Sequence, residues 1–233
     1  MVDQSQFGLI KFFRDPEKLE ALREGLFYCN TPEFYRFSGD EGVSDLHESC
    51  SHAYRKERGD EPIKLEVNGH EVGGITALTQ HGSGFRDHWL HCWLKISIPE
   101  DEEGLKKLGA DIDRMRGEFG TEYAFIPANY LPELLNRLQS VTDHKIVQGA
   151  VTYSSEILDW SAMCKPEGYS YQREYRFLVG ECNHLSVEPL KIRYNGGFSD
   201  LISRSPELKM ENHDSGHLWF VLDSEGCVVS PTS

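Results

Sequence analysis

Near its start the chain carries an apolar run, Phe7 to Phe13 (FGLIKFF), that stops at Arg14-Asp15-Pro16. Such a run predicts a short buried strand. Asp15 followed by Pro16 predicts a helix start, with the aspartate as N-cap and the proline at the first helical position. The helix over Pro16 to Glu24 sets Leu19 and Leu22 on one side, and Gly25 ends it. A second strand, Leu26 to Asn30, follows at once, and Thr31 caps a turn or short helix through Pro32-Glu33-Phe34-Tyr35. Lys64 to Val72 alternates about Asn68-Gly69, the strongest short signal for a tight hairpin. Further strands are predicted at Trp89–Ile98, Glu122–Ile126, Lys145–Tyr153, Val187–Tyr194 and Leu218–Leu222. Helices are predicted over Glu102–Glu118 and Asn129–Leu138, with a short one near Phe198–Ser203.

Strands and helices that do not alternate strictly argue for an α+β fold with an antiparallel-rich sheet. No convincing linker interrupts the chain, so the expectation is a single domain over residues 1–233. The polar stretch Ser38 to Asp60 reads as a long loop with some helix, and the region 38–84 as an inserted loop and hairpin.

The segment Tyr169 to Val179 (YSYQREYRFLV) carries the most chemistry. Read as one strand, it sets Gln172, Glu174 and Arg176 on one face and Tyr175 and Phe177 on the other. An amide, a carboxylate and a guanidinium pointing one way make a poor surface for core packing. They make a good one for gripping a polar ligand and stabilising a positive charge, although a half-exposed strand meeting water has the same spacing.

Composition narrows the function classes. A net charge of −14 does not suit indiscriminate binding to phosphate backbones. The densest basic cluster, Arg55-Lys56-Glu57-Arg58, is broken by a glutamate and reads as a solvated loop or helix face. No apolar run is long enough to span a membrane, and Met1 to Gln6 has no secretory n-region. Six cysteines without framework spacing then read as reduced thiols in a cytoplasmic protein.

Other motifs carry less. The pairs His213/His217, His88/His91-Cys92, His47/Cys50/His52 and Cys182/His184 lack the spacing of a specific metal site, so no metal is expected. Neither a phosphate-binding GxxxxGK[ST] nor a strand-linked GxGxxG is present, and Gly82-Ser83-Gly84 is a plain turn. Lys11 and Phe12 on the first strand, with Tyr28 and Asn30 on the second, offer a cation, aromatic faces and a polar tip.

Taken together, the first strand, the LEALREG helix, the second strand closing FYCNTPEF and the late YQREYRF strand resemble the ADP-ribosyltransferase superfamily, including DarT-like toxins and DUF2971-like bacterial proteins. Gln172-Arg173-Glu174 matches the [Gln/Glu]-x-Glu signature of that superfamily. The resemblance covers about Gly8 to Ser203 and implies a split antiparallel sheet with NAD as co-substrate. It implies Glu174 beside the developing ribose cation and Gln172 orienting the acceptor. Tyr28, Phe34 or Tyr35 would stack on nicotinamide, and Lys11, Phe12 and Asn30 would complete the NAD site. Arg176 would bind pyrophosphate or hold Glu174 by an ion pair. The first strand has Lys11 where the superfamily usually has His or Arg, and Asn30-Thr31-Pro32 stands in place of Ser-Thr-Ser. By the same resemblance the expected function is a toxin or anti-phage mono-ADP-ribosyltransferase. Its acceptor would be an intracellular macromolecule, RNA or DNA ahead of protein, and a neutralising antitoxin or regulatory protein its partner. NAD hydrolysis, or a non-catalytic adaptor on the same fold, are the alternatives.

Overall fold

A computed structural model describes residues 7–40, 42–82, 86–211 and 216–230. Strand β1 (Phe7–Phe13) leads into helix α1 (Pro16–Arg23), where the Asp15 carboxylate accepts from the Glu17 amide at 2.9 Å. Strand β2 (Leu26–Cys29) follows, then the short helix α2 (Pro32–Phe37), capped by the Thr31 hydroxyl. The region after it holds β3 (His52–Arg55), the Asn68-Gly69 hairpin of β4 (Glu66–Val67) and β5 (His70–Glu71), and β6 (Ala77–Gln80), which pairs with β3. The long strand β7 (Trp89–Ser97), helix α3 (Glu102–Phe119), strand β8 (Glu122–Pro127) and helix α4 (Leu131–Gln139) come next. Then follow β9 (Ile146–Ala150), β10 (Thr152–Ser154), β11 (Cys164–Pro166) and β12 (Glu174–Val179). The chain closes with β13 (Leu190–Arg193), β14 (Ser203–Arg204) and a meander of β15 (Leu208–Glu211), β16 (Leu218–Leu222) and β17 (Cys227–Val229).

The main sheet is antiparallel throughout, in the order β14-β8-β1-β7-β12-β9. This is the α+β, antiparallel-rich architecture expected from the hydrophobic pattern. Alternation splits its side chains between two cores. Leu9, Trp93, Ala124, Ile126, Tyr175 and Phe177 point to the face covered by α1, α4 and the β2–β13 pair. Ile10, Phe12, Leu94 and Ile96 point to the other, covered by α3 and the β15–β17 meander. Leu90 and Leu178 continue that second face into a smaller cluster with Ala162, Tyr35 and Met163.

The sheet forks between β1 and β7. The two strands pair only from Phe7↔Ser97 to Ile10↔Leu94. Past that point the edge of β7 passes to Asn30, whose amide and carbonyl both bond Leu90, at 3.0 and 2.7 Å. Cys92 falls between the two contacts. Its carbonyl takes a hydrogen bond from the Lys11 ammonium, at 2.7 Å, in place of a strand amide.

Three expectations need correction. The segment before Glu174 is not strand: Glu167–Gln172 forms a 3-10 turn, and Arg173 sits in the left-handed region at φ 44°. Aromatic residues favour strands, but here Pro166 and Gly168 start a turn. The tyrosine hydroxyls then find partners off the sheet, Tyr169 on the Ser44 carbonyl and Tyr171 on the Glu118 carboxylate. Phe198–Ser203 makes turns with a short β14, not a helix, after the Gly196-Gly197 pair. Arg55, read as a solvated charge, is buried and gives two hydrogen bonds to Glu33. Met1 to Gln6, Ser83-Gly84 and His213 lie outside the described residues. Among the described residues no helix is long and apolar enough to cross a membrane.

Gly25 joins α1 to β2 with φ 101°, and a Cβ there would overlap the Tyr194 carbonyl oxygen. Gly25→Ala should therefore cost about 1–3 kcal/mol, read as a lowered urea midpoint with unchanged slope.

Candidate functional site

The fork opens onto a cleft of about 100 Å³ that communicates with solvent. Ile10, Lys11 and Phe12 of β1 line one side and Cys92, Trp93 and Leu94 of β7 the other. Met115 and Phe119 of α3 close one end, while Tyr35, Gly42, Val43 and Glu48 come over from the segment after β2. Lys165, Gln172 and Glu174 complete the lining.

The polar side of this cleft is a buried charge cluster built on β12. Arg176 is fully buried, and its Nε donates to Glu174 Oε2 at 2.7 Å. Its two terminal nitrogens reach Glu48, at 2.8 Å each, and one of them also donates to the Ala162 carbonyl. Lys165, 5% exposed, donates to Gln172 Oε1 at 3.0 Å and lies 3.4 Å from Glu174 Oε1. The same ammonium stands 3.6 Å from Glu48 and 3.5 Å from Asp45. The Asp45 contact is an ion pair without hydrogen-bond alignment, because Asp45 Oδ2 has no hydrogen-bond partner. Gln172 Nε2 is fixed in turn by the Gly42 carbonyl at 2.9 Å. Two cations and three carboxylates thus share one small volume.

Burial and charge set the protonation states. Burial alone would raise the Glu48 carboxyl, but Arg176 and Lys165 override it and hold it down at about 2. Asp45 goes the other way, raised to about 6 by burial and by Glu48. Desolvation lifts the Cys92 thiol to about 12 and pushes the Tyr35 phenol well above its ordinary value. Lys11 is moved down by burial, with only Cys92, Cys29 and Glu174 pulling it back. His91, beside it, is held well below the usual imidazole range by burial and by Lys11, and its Nδ1 donates to the Tyr28 carbonyl at 2.8 Å.

Of the residues singled out in the sequence, Lys11, Phe12, Tyr35, Gln172 and Glu174 share the cleft. Gln172 arrives there from the 3-10 turn and not from the strand face. Arg176 lies beneath Glu174 with no exposed surface, the ion-pair arrangement rather than a free anion anchor. Asn30 bonds the Tyr35 hydroxyl at 3.5 Å and bridges to β7 without lining the cleft. Tyr28 and Phe34 are exposed elsewhere; Tyr28 carries Lys191 over its ring and Phe34 packs edge-on against Tyr35. Lys165, Glu48 and Asp45 were not legible. Lys165 sits in an unremarkable tripeptide, and both acids lie in a stretch whose polarity reads as loop.

No family model matches the chain, and neither does any curated protein or any solved structure.

The two acids predict a two-sided pH dependence of stability. Asp45 is raised from 3.8 to about 6, so the folded chain takes up that proton first, and stability rises as pH falls through 6 toward 3.8. Glu48 is lowered from 4.5 to about 2, so its contribution, complete above 4.5, is lost as pH falls through 2. Urea midpoints taken against pH should show both limbs, and Asp45→Asn should remove the first while leaving the second.

Proposed function

We propose that this protein is an NAD-consuming mono-ADP-ribosyltransferase whose reacting centre is the fork cleft. The observation that carries the reading is the pairing of Glu174 with Gln172 on the cleft wall, both fixed by Lys165 and the carboxylate further fixed by Arg176. Breaking a nicotinamide–ribose bond leaves positive charge on the sugar, as glycoside cleavage does. A carboxylate held in place beside it stabilises that charge without having to reorganise during the reaction.

In this reading NAD enters with its nicotinamide ribose toward Glu174. Phe12 and Tyr35 supply aromatic surface near the cationic ring, whose charge suits a π face. Gln172 bounds the side from which the acceptor attacks. Arg176 is committed to Glu174 and Glu48, so its work is to keep the carboxylate aimed rather than to bind pyrophosphate. Asn30 acts at one remove, through the Tyr35 hydroxyl, and Tyr28 and Phe34 belong to the surface outside the cleft. The fork itself supports the reading, because it gives a split antiparallel sheet of the kind the resemblance implies. The acceptor would be an intracellular macromolecule, nucleic acid ahead of protein. A chain that modifies its own cell's macromolecules calls for a neutralising partner.

One observation favours a second reading. Both oxygens of Glu174 face cations, at 2.7 and 3.4 Å, which offsets the charge it offers a ribose cation. A binding protein that keeps the architecture without the chemistry would look the same.

Transfer of label from adenine-labelled NAD to a cell lysate separates the two. Wild type should label an acceptor, and Glu174→Gln should lower the rate by about a hundredfold or more, the scale of losing an aimed charge stabiliser. Nuclease and protease digestion then assigns the acceptor. NAD binding without label transfer or NAD loss would select the binding protein, and absence of NAD binding by the folded chain would sink the proposal.

A further inference from the structure

Among the described residues several buried cations have carboxylate partners, whereas Arg116 binds the Asp223 and Ser224 carbonyls instead. Arg36 pairs with Asp87 and Glu33, Arg55 with Glu33, and Lys165 and Arg176 with the acids of the cleft. Lys11 departs from this. Its Nζ has a single hydrogen bond, to the neutral Cys92 carbonyl, and among the described residues no carboxylate oxygen lies within ion-pair range of it. An ammonium withdrawn from water without a counter-ion is costly, and burial accordingly moves Lys11 down, toward the neutral amine.

The groups that face Lys11 from each neighbouring element do not supply the missing charge. Cys92 on β7 and Cys29 on β2 are thiols that burial keeps protonated. His91 on β7 is neutral. Glu174 on β12 does act on Lys11 across the cleft, but its oxygens are already engaged by Arg176 and Lys165. The lysine is nonetheless reachable, since it keeps part of its surface and lines the open cleft.

We infer that Lys11 is an imine-forming amine, and that the fork cleft takes small aldehydes as covalent ligands. The Nζ lone pair adds to the carbonyl carbon as the C=O π pair moves to oxygen. That oxygen takes one proton from the amine and a second from water or a neighbouring acid, and leaves as water when the nitrogen lone pair forms C=N; the iminium N–H then returns a proton to that donor. Amine and aldehyde give imine and water, with no change of oxidation state. The apolar walls, Ile10, Phe12 and Leu94, favour the dehydrated imine by limiting water at the new bond. This activity is independent of the transferase reading; either stands without the other.

The test uses the intact wild-type chain with propionaldehyde as the probe. Sodium cyanoborohydride traps the imine as a stable secondary amine, and peptide mapping gives the rate at each lysine. Lys18, exposed on α1, is the internal reference. At pH 7 Lys11 should be labelled about tenfold faster than Lys18 or more, and the lead should shrink as pH rises toward the ordinary lysine range. Lys11→Arg, which keeps a donor for the Cys92 carbonyl, should leave the remaining lysines with unchanged rates. Labelling of Lys11 no faster than Lys18 at pH 7, or a lead that does not change with pH, would overturn the inference.

Discussion

The Arg176 guanidinium is the interaction on which the rest of the site depends. It is fully buried and joins three parts of the chain: Glu174 on its own strand, Glu48 from the segment after α2, and the Ala162 carbonyl before β11. A guanidinium suits this place because its donors lie in a rigid planar fork and its charge does not titrate away. Taking so many charges out of water is not by itself a source of stability, since desolvation offsets most of the Coulomb gain. What the arrangement gives is position. Removing either partner would strand a buried charge, at a cost of about 3–5 kcal/mol, so the loop that carries Glu48 is held against the sheet in one register.

That constraint explains why the cleft persists. A sheet fork would ordinarily close by extending the β1–β7 ladder or be filled by apolar side chains. Here β7 passes from β1 to Asn30 within a few residues, and the intervening Cys92 carbonyl is satisfied by a side chain, not a strand. The polar wall cannot collapse into the gap, because Glu174, Gln172 and Lys165 are tied to one another and to Gly42 behind them. Apolar cores on both faces fix the strands; the charge cluster fixes the groups between them.

Much of this was legible where local chemistry decides the outcome. Asp15-Pro16, Thr31-Pro32 and Asn68-Gly69 each carry a cap or turn signal whose energy is local, and each appears where the chain places it. Glu174 and Arg176 were also legible, since alternation along β12 sets both on one face. Gln172 reached the site by a different route, because the Pro166–Gly168 turn outweighed the β propensity of the tyrosines. Long-range partners were not legible at all. Nothing in Asp45-Leu46-His47-Glu48 marks it as buried, and Lys165 has no periodic neighbours. Their burial follows from the charge on Arg176 and Glu174, which lies more than a hundred residues from Glu48 and, though only nine residues separate Lys165 from Glu174, across a turn from Lys165. Arg55 failed for the same reason: its counter-ion, Glu33, is on another element.

The protonation states limit what chemistry the cleft favours. A proton-transfer catalyst needs a group that titrates near neutrality within reach of the substrate. The Cys92 thiol and the Tyr35 phenol line the cleft, and burial holds both protonated far above neutral pH. Asp45 does titrate near 6, but it lies behind Lys165 and is 2% exposed. Glu48 is held ionised by Arg176 and Lys165, so it offers fixed charge and not a mobile proton. Fixed charge is what remains on the polar wall, with an uncompensated amine opposite it on β1. Such a wall is suited to a reaction whose barrier lies in developing positive charge, and less to one that waits on a base. The two cations that flank Glu174, Arg176 and Lys165, fix where its two oxygens sit on that wall.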